Sequence, residues 1–251
     1  MTLKEFSNEF DVLYNNISSN AAPGLNEYEK SVFLTKAQEE IIKNYLNPKG
    51  NKYSEGFDDS IKRQVDFSNL LDYLEYSSGT SSEVILLASG NSIDARGKTF
   101  LLPAKVLYII SEVATISLNN KTVTTQILPI SYQEYLRLMS KPFKEPLRFQ
   151  SWRLLSHTFD ASGNKVLMTE IIPKSGATIQ EYKIRYIRKP QPIVLIDLTP
   201  YGASINNVNT PSTCELPEFL HHEILDRAVE LAKVAYTGNI ETTISVNTRN
   251  E

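Results

Sequence analysis

The chain has 251 residues, of which 41% are hydrophobic and 22% charged, and its formal net charge is −3. This composition excludes a largely disordered chain, and a chain of this length can bury a core without a disulfide or a structural metal. The single cysteine, Cys214, excludes an internal disulfide and a zinc site built on cysteines. We expect no transmembrane span, because no apolar run reaches about 18 residues. The first residues lack a signal-peptide pattern, which favours a reducing cytosol.

Three helices are predicted in the first third of the chain. Apolar residues at steps of three and four predict a helix over residues 3–17. Asn26 and Glu29 form a capping-box pair that opens a second helix ending near Leu46. Its apolar stripe is Phe33, Ala37, Ile41 and Tyr45, and its predicted wet face is Glu29, Glu39 and Glu40 against Lys36 and Lys43. Leucines at helical spacing predict a third helix over residues 58–76.

Residues 83–192 change to short β-branched and aromatic runs separated by turn residues, which predicts a β-rich unit. Residues 178–187 alternate between apolar and polar as a half-buried antiparallel strand does, and residues 166–172 are the predicted hairpin partner. One short helix, over residues 132–139 with Ser131 as its N-cap, interrupts the strands.

The last predicted helix runs from Glu215 to Tyr236, with Gly238 as its stop signal. Its apolar arc covers about 200°, which is too wide for a helix with one buried side. Either the helix lies between other elements of its own chain, or one of its sides meets another subunit. On the second alternative the interface residues are Leu225, Val229 and Tyr236, together with the loop 201–213.

The order of elements predicts an α+β fold, in which N-terminal helices and the C-terminal helix form a helical bundle with an inserted antiparallel β-rich domain. The predicted boundaries are 1–82 with 215–238 for the bundle, 83–198 for the insertion, 199–214 for an extended loop and 239–251 for a polar tail.

Charge is segregated along the chain: residues 1–83 are mainly acidic and residues 137–189 mainly basic. The basic region also contains aromatic residues, a mixture that single-strand nucleic-acid binders use: Phe143, Phe149, Trp152, Tyr182 and Tyr186. The alternative is a sheet whose cations point outward and whose aromatic side chains point inward. Arg185 and Arg188 would then lie on the outward row, where they are candidate interface residues.

Chemical motifs are largely missing, so we predict no catalytic residues, no cofactor and no metal. The stretch 90–99 has the wrong glycine spacing for a phosphate loop. His157 would need a serine and an acid from elsewhere in the fold to serve a hydrolase. Glu218, His222 and Asp226 share one stripe of the last helix, which suits either a divalent metal or a solvated or interfacial face.

Three segments resemble the head-to-tail ring proteins of crAss-like short-tailed bacteriophages. They are Leu25–Ile41, Tyr182–Ile193 and Leu216–Glu230, and the similarity spans nearly the whole chain. The order of helices, β insertion and C-terminal helix is more distantly similar to the adaptor proteins beneath the portal of other short-tailed phages.

The resemblance implies a virion structural protein without enzymatic activity. It implies a ring, twelvefold to match the portal, that extends the DNA channel and joins the capsid to the tail after assembly in the host cytoplasm. The implied partners are other copies of the chain, the portal protein, other tail ring proteins and genomic DNA passing without sequence-specific contacts, with no membrane. The alternative is a single-stranded nucleic-acid-binding module that uses the basic and aromatic strands 137–189.

Overall fold

A computed structural model of the chain describes residues 1–15, 24–46, 61–78, 86–87, 92–141, 143–159 and 165–237, and the side chains within them except those of 61–63, 86–87 and 236–237. The chain divides into unit 1, Met1–Leu70 with Pro190–Glu251, and unit 2, Leu71–Lys189. Unit 1 contains helices and unit 2 contains a sheet with one helix, so the predicted mixture of α and β structure is confirmed.

The helices of unit 1 are α1 (Leu3–Asn15), α2 (Glu27–Leu46), the short α3 (Ile61–Asp66) and α5 (His221–Thr237). The capping box of α2 is confirmed: the Asn26 side chain accepts from the Glu29 amide at 2.8 Å, and the Glu29 carboxylate accepts from the Asn26 amide at 2.9 Å. Both α1 and α2 pack against α5. The predicted stop at Gly238 and the tail 239–251 lie outside the described residues.

Unit 2 holds an eight-stranded sheet in the order β1-β8-β4-β5-β6-β7-β3-β2. The strands are β1 (Leu71–Ser77), β2 (Leu86–Leu87), β3 (Lys98–Leu101), β4 (Val106–Leu118), β5 (Lys121–Pro129), β6 (Gln150–Phe159), β7 (Lys165–Ile172) and β8 (Ala177–Arg188). The pair β5–β6 is parallel, and the other pairs among these described strands are antiparallel. The intervening helix, α4, spans Tyr132–Met139 as predicted.

Two sequence predictions are wrong in unit 2. The predicted helix 58–76 ends early, because residues 71–77 form strand β1 and pair with β8. The leucine spacing is compatible with a helix, but pairing with a distant strand decides the structure. The predicted hairpin of 166–172 with 178–187 is also absent: β7 has β6 and β3 on its two edges, while β8 has β4 and β1.

The alternation in β8 is as predicted. Its apolar and aromatic side chains are buried in the main core of the sheet, namely Ile179, Tyr182, Ile184 and Tyr186. Lys183 is exposed, and Arg185 and Arg188 are half-buried. The aromatic side chains of this strand therefore stabilise the fold rather than offer a stacking surface.

A row of polar side chains on α2 fixes a buried extended segment of unit 1. Thr35 Oγ1 accepts from the Ile193 amide at 3.1 Å, and Ser31 Oγ accepts from the Leu195 amide at 3.0 Å. Gln38 Nε2 donates to the Gln191 carbonyl at 2.8 Å. We call Ser31, Thr35 and Gln38 the α2 polar row. These side chains take the place of a neighbouring strand, because buried backbone groups need hydrogen-bond partners.

Ion pairs also hold α2 to the other helices, and they correct the predicted wet face. Lys30 is 3% exposed, and its Nζ donates to Asp11 of α1 at 2.7 Å and to Glu27 at 2.9 Å. Glu40, which was predicted to be solvated, is buried and pairs with Arg227 of α5 at 2.7 Å. Such partners distant in sequence decide the burial of charged residues.

The two units carry opposite net charge. Unit 1 contains 19 acidic and 11 basic side chains, a net of −8, whereas unit 2 contains 10 acidic and 15 basic side chains, a net of +5. The charge segregation in the sequence therefore coincides with the division into structural units. None of the helices within the described ranges is both long and apolar enough to cross a membrane.

Removing one hydroxyl of the α2 polar row should destabilise unit 1. We expect Thr35→Val to lower the free energy of unfolding by about 1–3 kcal/mol, because the buried Ile193 amide loses its acceptor. Thr35→Ser keeps the hydroxyl and serves as the matched control. Urea unfolding followed by circular dichroism measures both, and equal stability of the two variants would contradict the role of the hydroxyl.

His221, at the start of α5, is buried as a neutral side chain. Its Nε2 lies 2.9 Å from the Leu216 carbonyl, and its Nδ1 lies 2.9 Å from the amino group of Met1. A carbonyl accepts and an ammonium donates, so Nε2 carries the proton and Nδ1 accepts. Burial, together with the positive charge of that amino group, lowers the pKa of His221.

This lowered pKa predicts a pH dependence of stability. The unfolded chain takes up a proton near pH 6.5 and the folded chain at lower pH, so stability is lost as the pH falls below about 6.5. We expect His221→Gln to flatten the corresponding change in melting temperature between about pH 7.5 and 5.5. His222→Gln, at an exposed neighbour, should leave the change as it is in the wild type.

Candidate functional site

One exposed apolar region of unit 2 follows from the way α4 is built. Ser131 caps the helix by accepting from the Glu134 amide at 3.1 Å, as predicted. One face buries Tyr135 in a cluster with Trp152, Leu154 and Ile172. The stripe next to Tyr135 exposes side chains at steps of four and three, namely Tyr132, Leu136 and Met139.

The chain after α4 adds further exposed apolar side chains. Phe143 is fully exposed, and Leu147 and Phe149 are about two-thirds exposed. Arg96 approaches both Met139 and Glu145, so this chain segment lies near the C-terminal end of the helix. We call the six residues Tyr132, Leu136, Met139, Phe143, Leu147 and Phe149 the α4 surface. Several exposed apolar side chains within one short stretch of chain are a candidate interaction site.

Cations accompany the α4 surface. Lys141, Lys144 and Arg148 are exposed, and none forms an ion pair with a carboxylate among the described residues. Arg153 of unit 2, by contrast, is neutralised inside the chain, where it donates to the buried Glu112 at 2.7 Å. The α4 surface is therefore accompanied by basic charge that is available to a partner.

A buried polar network positions α4 on the sheet. The Tyr135 hydroxyl donates to Asp94 at 3.1 Å, and the Arg96 guanidinium donates to the same carboxylate. Glu170 accepts from the amides of Ile93 and Asp94 at 2.9 and 2.8 Å. Sequence reasoning did not single out this network, because its members come from three separate segments of the chain.

The charges of this network follow from its contacts. Hydrogen bonds from Arg96 lower the pKa of Asp94, while burial raises the pKa of Glu170. Burial and the neighbouring Asp94 raise the pKa of Tyr135 to about 12. Tyr135 is therefore a neutral donor to a charged carboxylate, an arrangement that holds the helix in place.

The structure separates the predicted interface residues. Leu225 and Val229 are 1% and 3% exposed, and α5 packs against α1 and α2 within unit 1. This burial favours the alternative in which α5 is enclosed by its own chain. The side chain of Tyr236 lies outside the described residues. In the loop 201–213, Tyr201 is 74% exposed.

Arg185 and Arg188 lie on β8, with neighbouring strands on both sides. Arg185 stands opposite Tyr73 of β1 and Ser111 of β4. Burial would raise the pKa of Asp72, but hydrogen bonds and the charges of Lys105 and Arg188 lower it. Arg188 thus contributes to a charged cluster at the start of β1.

The other candidate groups are dispersed. Among the described residues, no set of three or more His, Cys, Asp or Glu side chains is arranged to hold a metal. Within the predicted stripe, Glu218 lies 3.7 Å from the amino group of Met1, and His222 lies 3.8 Å from Glu9. His157 is exposed on β6. Of the five aromatic residues singled out in the basic region, Phe143 and Phe149 are exposed and Trp152, Tyr182 and Tyr186 are buried.

These features define a structural interaction protein: an exposed apolar and basic surface on one unit, and a second unit of opposite charge. The family model of phage tail ring protein 3/4 matches residues 1–243, and the chain belongs to this family. It is 50% identical to "Ring protein 4/5" of Bacteroides phage crAss001 over the whole of both chains. It is also 34% identical to "Ring protein 3" of that phage over 96% of this chain and all of the relative. The resemblance to crAss-like phage ring proteins is thus confirmed, and the chain is a tail structural component of the virion.

Gly97 tests the network that positions α4. A Cβ atom at this position would overlap the carboxylate of Glu170, which is buried and fixed by backbone donors. We expect Gly97→Ala to lower the free energy of unfolding by about 1–3 kcal/mol. Gly24→Ala is the control, since nothing lies within 4 Å of its added Cβ. Thermal unfolding measures both, and a neutral Gly97→Ala would contradict the described packing.

Proposed function

We propose that this protein forms a closed ring in the phage tail, below the portal, that extends the DNA channel and joins the capsid to the tail. The observation that carries the proposal is the full-length match to proteins named as ring proteins. We propose twelve copies, to match the portal, and assembly in the host cytoplasm. The role is structural rather than catalytic, and genomic DNA passes through the lumen without sequence-specific contacts.

The charge division supports a ring in physical terms. Head-to-tail contacts join two different surfaces of neighbouring copies, and such contacts close into a ring when the rotation between copies allows it. Unit 1 has a net charge of −8 and unit 2 a net charge of +5. Opposite charges bring unlike units together and disfavour contacts between like units. The helical unit 1 and the β-rich unit 2 are thus the two halves of one repeating contact.

We also propose that the helices of unit 1 form a helical bundle. Its support is the packing of α1 and α2 on α5 and the buried ion pairs of Lys30 and Glu40. A rigid unit of this kind presents the same surface in every copy, which a closed ring requires. Contacts with the portal protein and with the other tail rings would use surfaces above and below the ring.

Single-stranded nucleic-acid binding is the second candidate, and a specific observation favours it. Phe143 and Phe149 are exposed beside the cations Lys141, Lys144 and Arg148, a combination on which bases stack. The two candidate functions are distinguished by measuring DNA binding as a function of salt concentration. Binding of a labelled oligonucleotide that weakens steeply with salt would support the second candidate.

Charge reversal tests the ring. We expect the full chain to form closed rings in native mass spectrometry and electron microscopy, and to lose them between about 50 mM and 500 mM salt as charges are screened. Arg185→Glu with Arg188→Glu should weaken assembly at least about tenfold, since these two cations of the basic unit are the candidate interface residues. Lys121→Glu, at the exposed first residue of β5, makes the same charge change per site at a cation of that unit outside the candidate interface, and is the control.

Circular dichroism establishes that each variant retains the wild-type fold. Rings that persist unchanged in the folded double variant at every salt concentration would contradict the proposed use of these cations. A wild-type chain that stays monomeric at all concentrations, and is absent from the tail in images of the phage particle, would contradict the ring itself.

A further inference from the structure

We propose that Phe143 of one copy inserts into an apolar pocket on unit 1 of the next copy in the ring. The proposal rests on the ring function, because it names the two surfaces that would form the head-to-tail contact. The pocket is lined by Tyr28, Ile196, Leu198, Tyr201 and Ala203, with Asn26 and Glu27 at its side. The occupant is therefore a second copy of this chain.

Phe143 has the features of a projecting anchor. Its side chain is fully exposed, and its φ of 67° places a bulky residue in the left-handed region. Both features are unfavourable in a single copy, since aromatic surface meets water and the backbone is strained. Strain of this kind is found where a residue is held for an interaction. Burial of the Phe143 phenyl group in a neighbouring copy would offset both the cost of the exposed aromatic surface and the cost of the backbone strain.

The pocket is built from two parts of unit 1. The N-terminal turn of α2 contributes Tyr28, and the one-turn 3₁₀ helix Thr199–Tyr201 contributes Tyr201. Gly202, at φ 61°, ends that turn, and a small core of Val194, Leu198 and Ile205 supports it. Because the α2 polar row holds the preceding segment to α2, the two walls keep a fixed separation.

The size and chemistry of the pocket suit an aromatic side chain. Its volume is about 460 Å³ and its lining is mainly apolar, with Tyr28 and Tyr201 partly exposed at 40% and 74%. Tyrosine edges and aliphatic walls pack well against an inserted ring, and aromatic anchors in pockets dominate the energetics of many interfaces.

Charges around the two surfaces are complementary. Lys141 and Lys144 flank Phe143 and are exposed. Beside the pocket, Glu29 and Asp197 are exposed. A hydrogen bond from Thr199 lowers the pKa of Asp197, which therefore carries its charge at neutral pH. The lysines of one copy would face carboxylates of the next, in agreement with the opposite net charges of the two units.

The surroundings of Phe143 favour a protein partner over a nucleic acid. The α4 surface contains the aliphatic side chains Leu136, Met139 and Leu147, which offer nothing for a base or a phosphate. Protein interfaces have apolar centres with charged rims, whereas nucleic-acid interfaces are polar and strongly basic throughout. The α4 surface would thus pack around the anchor and exclude water from the contact.

Cross-linking between copies tests the contact directly. In a Cys214→Ser background, which removes the only cysteine, one preparation carries Lys144→Cys and another carries Ser204→Cys. These exposed positions adjoin Phe143 and the pocket residue Ala203 in sequence, so the anchor and the pocket walls stay intact. After mixing under ring-forming conditions, a short thiol-reactive cross-linker should join the two variants into dimers. The matched control pairs Leu155→Cys with Val12→Cys, which are exposed on units 2 and 1 and lie outside the proposed contact. This pair should give at most one-tenth of the product.

A second variant separates association from folding. Phe143→Gly removes the side chain and relieves the left-handed strain, so we expect the melting temperature of the single copy to rise by a few degrees while ring formation weakens at least tenfold. If Phe143 instead served only to stabilise the fold, Phe143→Gly would lower both the melting temperature and the extent of ring formation. The control is Leu155→Ser, which removes an exposed apolar side chain outside the proposed contact. Serine is used because Leu155 lies on strand β6, where glycine would itself weaken the strand.

The outcomes distinguish this contact from the ring function. Rings that form normally with Phe143→Gly, without a 144–204 cross-link in the chain that keeps Phe143, overturn the contact and leave the ring function standing. A wild-type chain that forms no ring overturns both. If Phe143→Gly instead abolishes binding of a single-stranded oligonucleotide while rings persist, Phe143 serves nucleic acid and the proposed contact is wrong.

Discussion

The organisation of unit 1 depends on one constraint: a buried extended segment must satisfy its backbone polar groups without a neighbouring sheet. Ser31, Thr35 and Gln38 of α2 do so for residues 191–195 on one side, and Ser212 pairs with Val194 on the other. This arrangement fixes the chain that leads into residues 196–203, which form one wall of the pocket. Serine and threonine side chains weaken an isolated helix, because they compete for its backbone hydrogen bonds. In α2 the hydroxyl and amide side chains instead form specific tertiary hydrogen bonds.

Local signals in the sequence predicted local structure well. The capping pairs of α2 and α4 involve residues three positions apart, so their geometry follows from the sequence alone. Strand β1 was missed because its leucines match a helical period and only pairing with β8 decides otherwise. The burial of Lys30 and Glu40 was missed for a related reason, since Asp11 and Arg227 reach them through the tertiary fold.

The candidate interface illustrates the same division between local and tertiary information. The apolar arc on the last helix left two alternatives open, and the structure buries Leu225 and Val229 inside unit 1. The surface left open comes instead from α4 and the chain after it, where a short helix buries Tyr135 and exposes the neighbouring stripe of apolar side chains. Amphipathic spacing shows how much of a helix is apolar; which neighbour covers it depends on elements distant in sequence.

Membership of the tail ring family gives this surface its biological context. A ring protein needs a contact that repeats around a circle, and in the proposed ring the unlike charges on the two units of each copy give that contact its polarity. The most direct measurement is a cryo-electron microscopy reconstruction of the assembled ring with side chains resolved. The account predicts that unit 2 of every copy contacts unit 1 of its neighbour, with acidic and basic side chains facing each other. Rings in which like units meet, or in which the acidic and basic surfaces point into solvent, would contradict it.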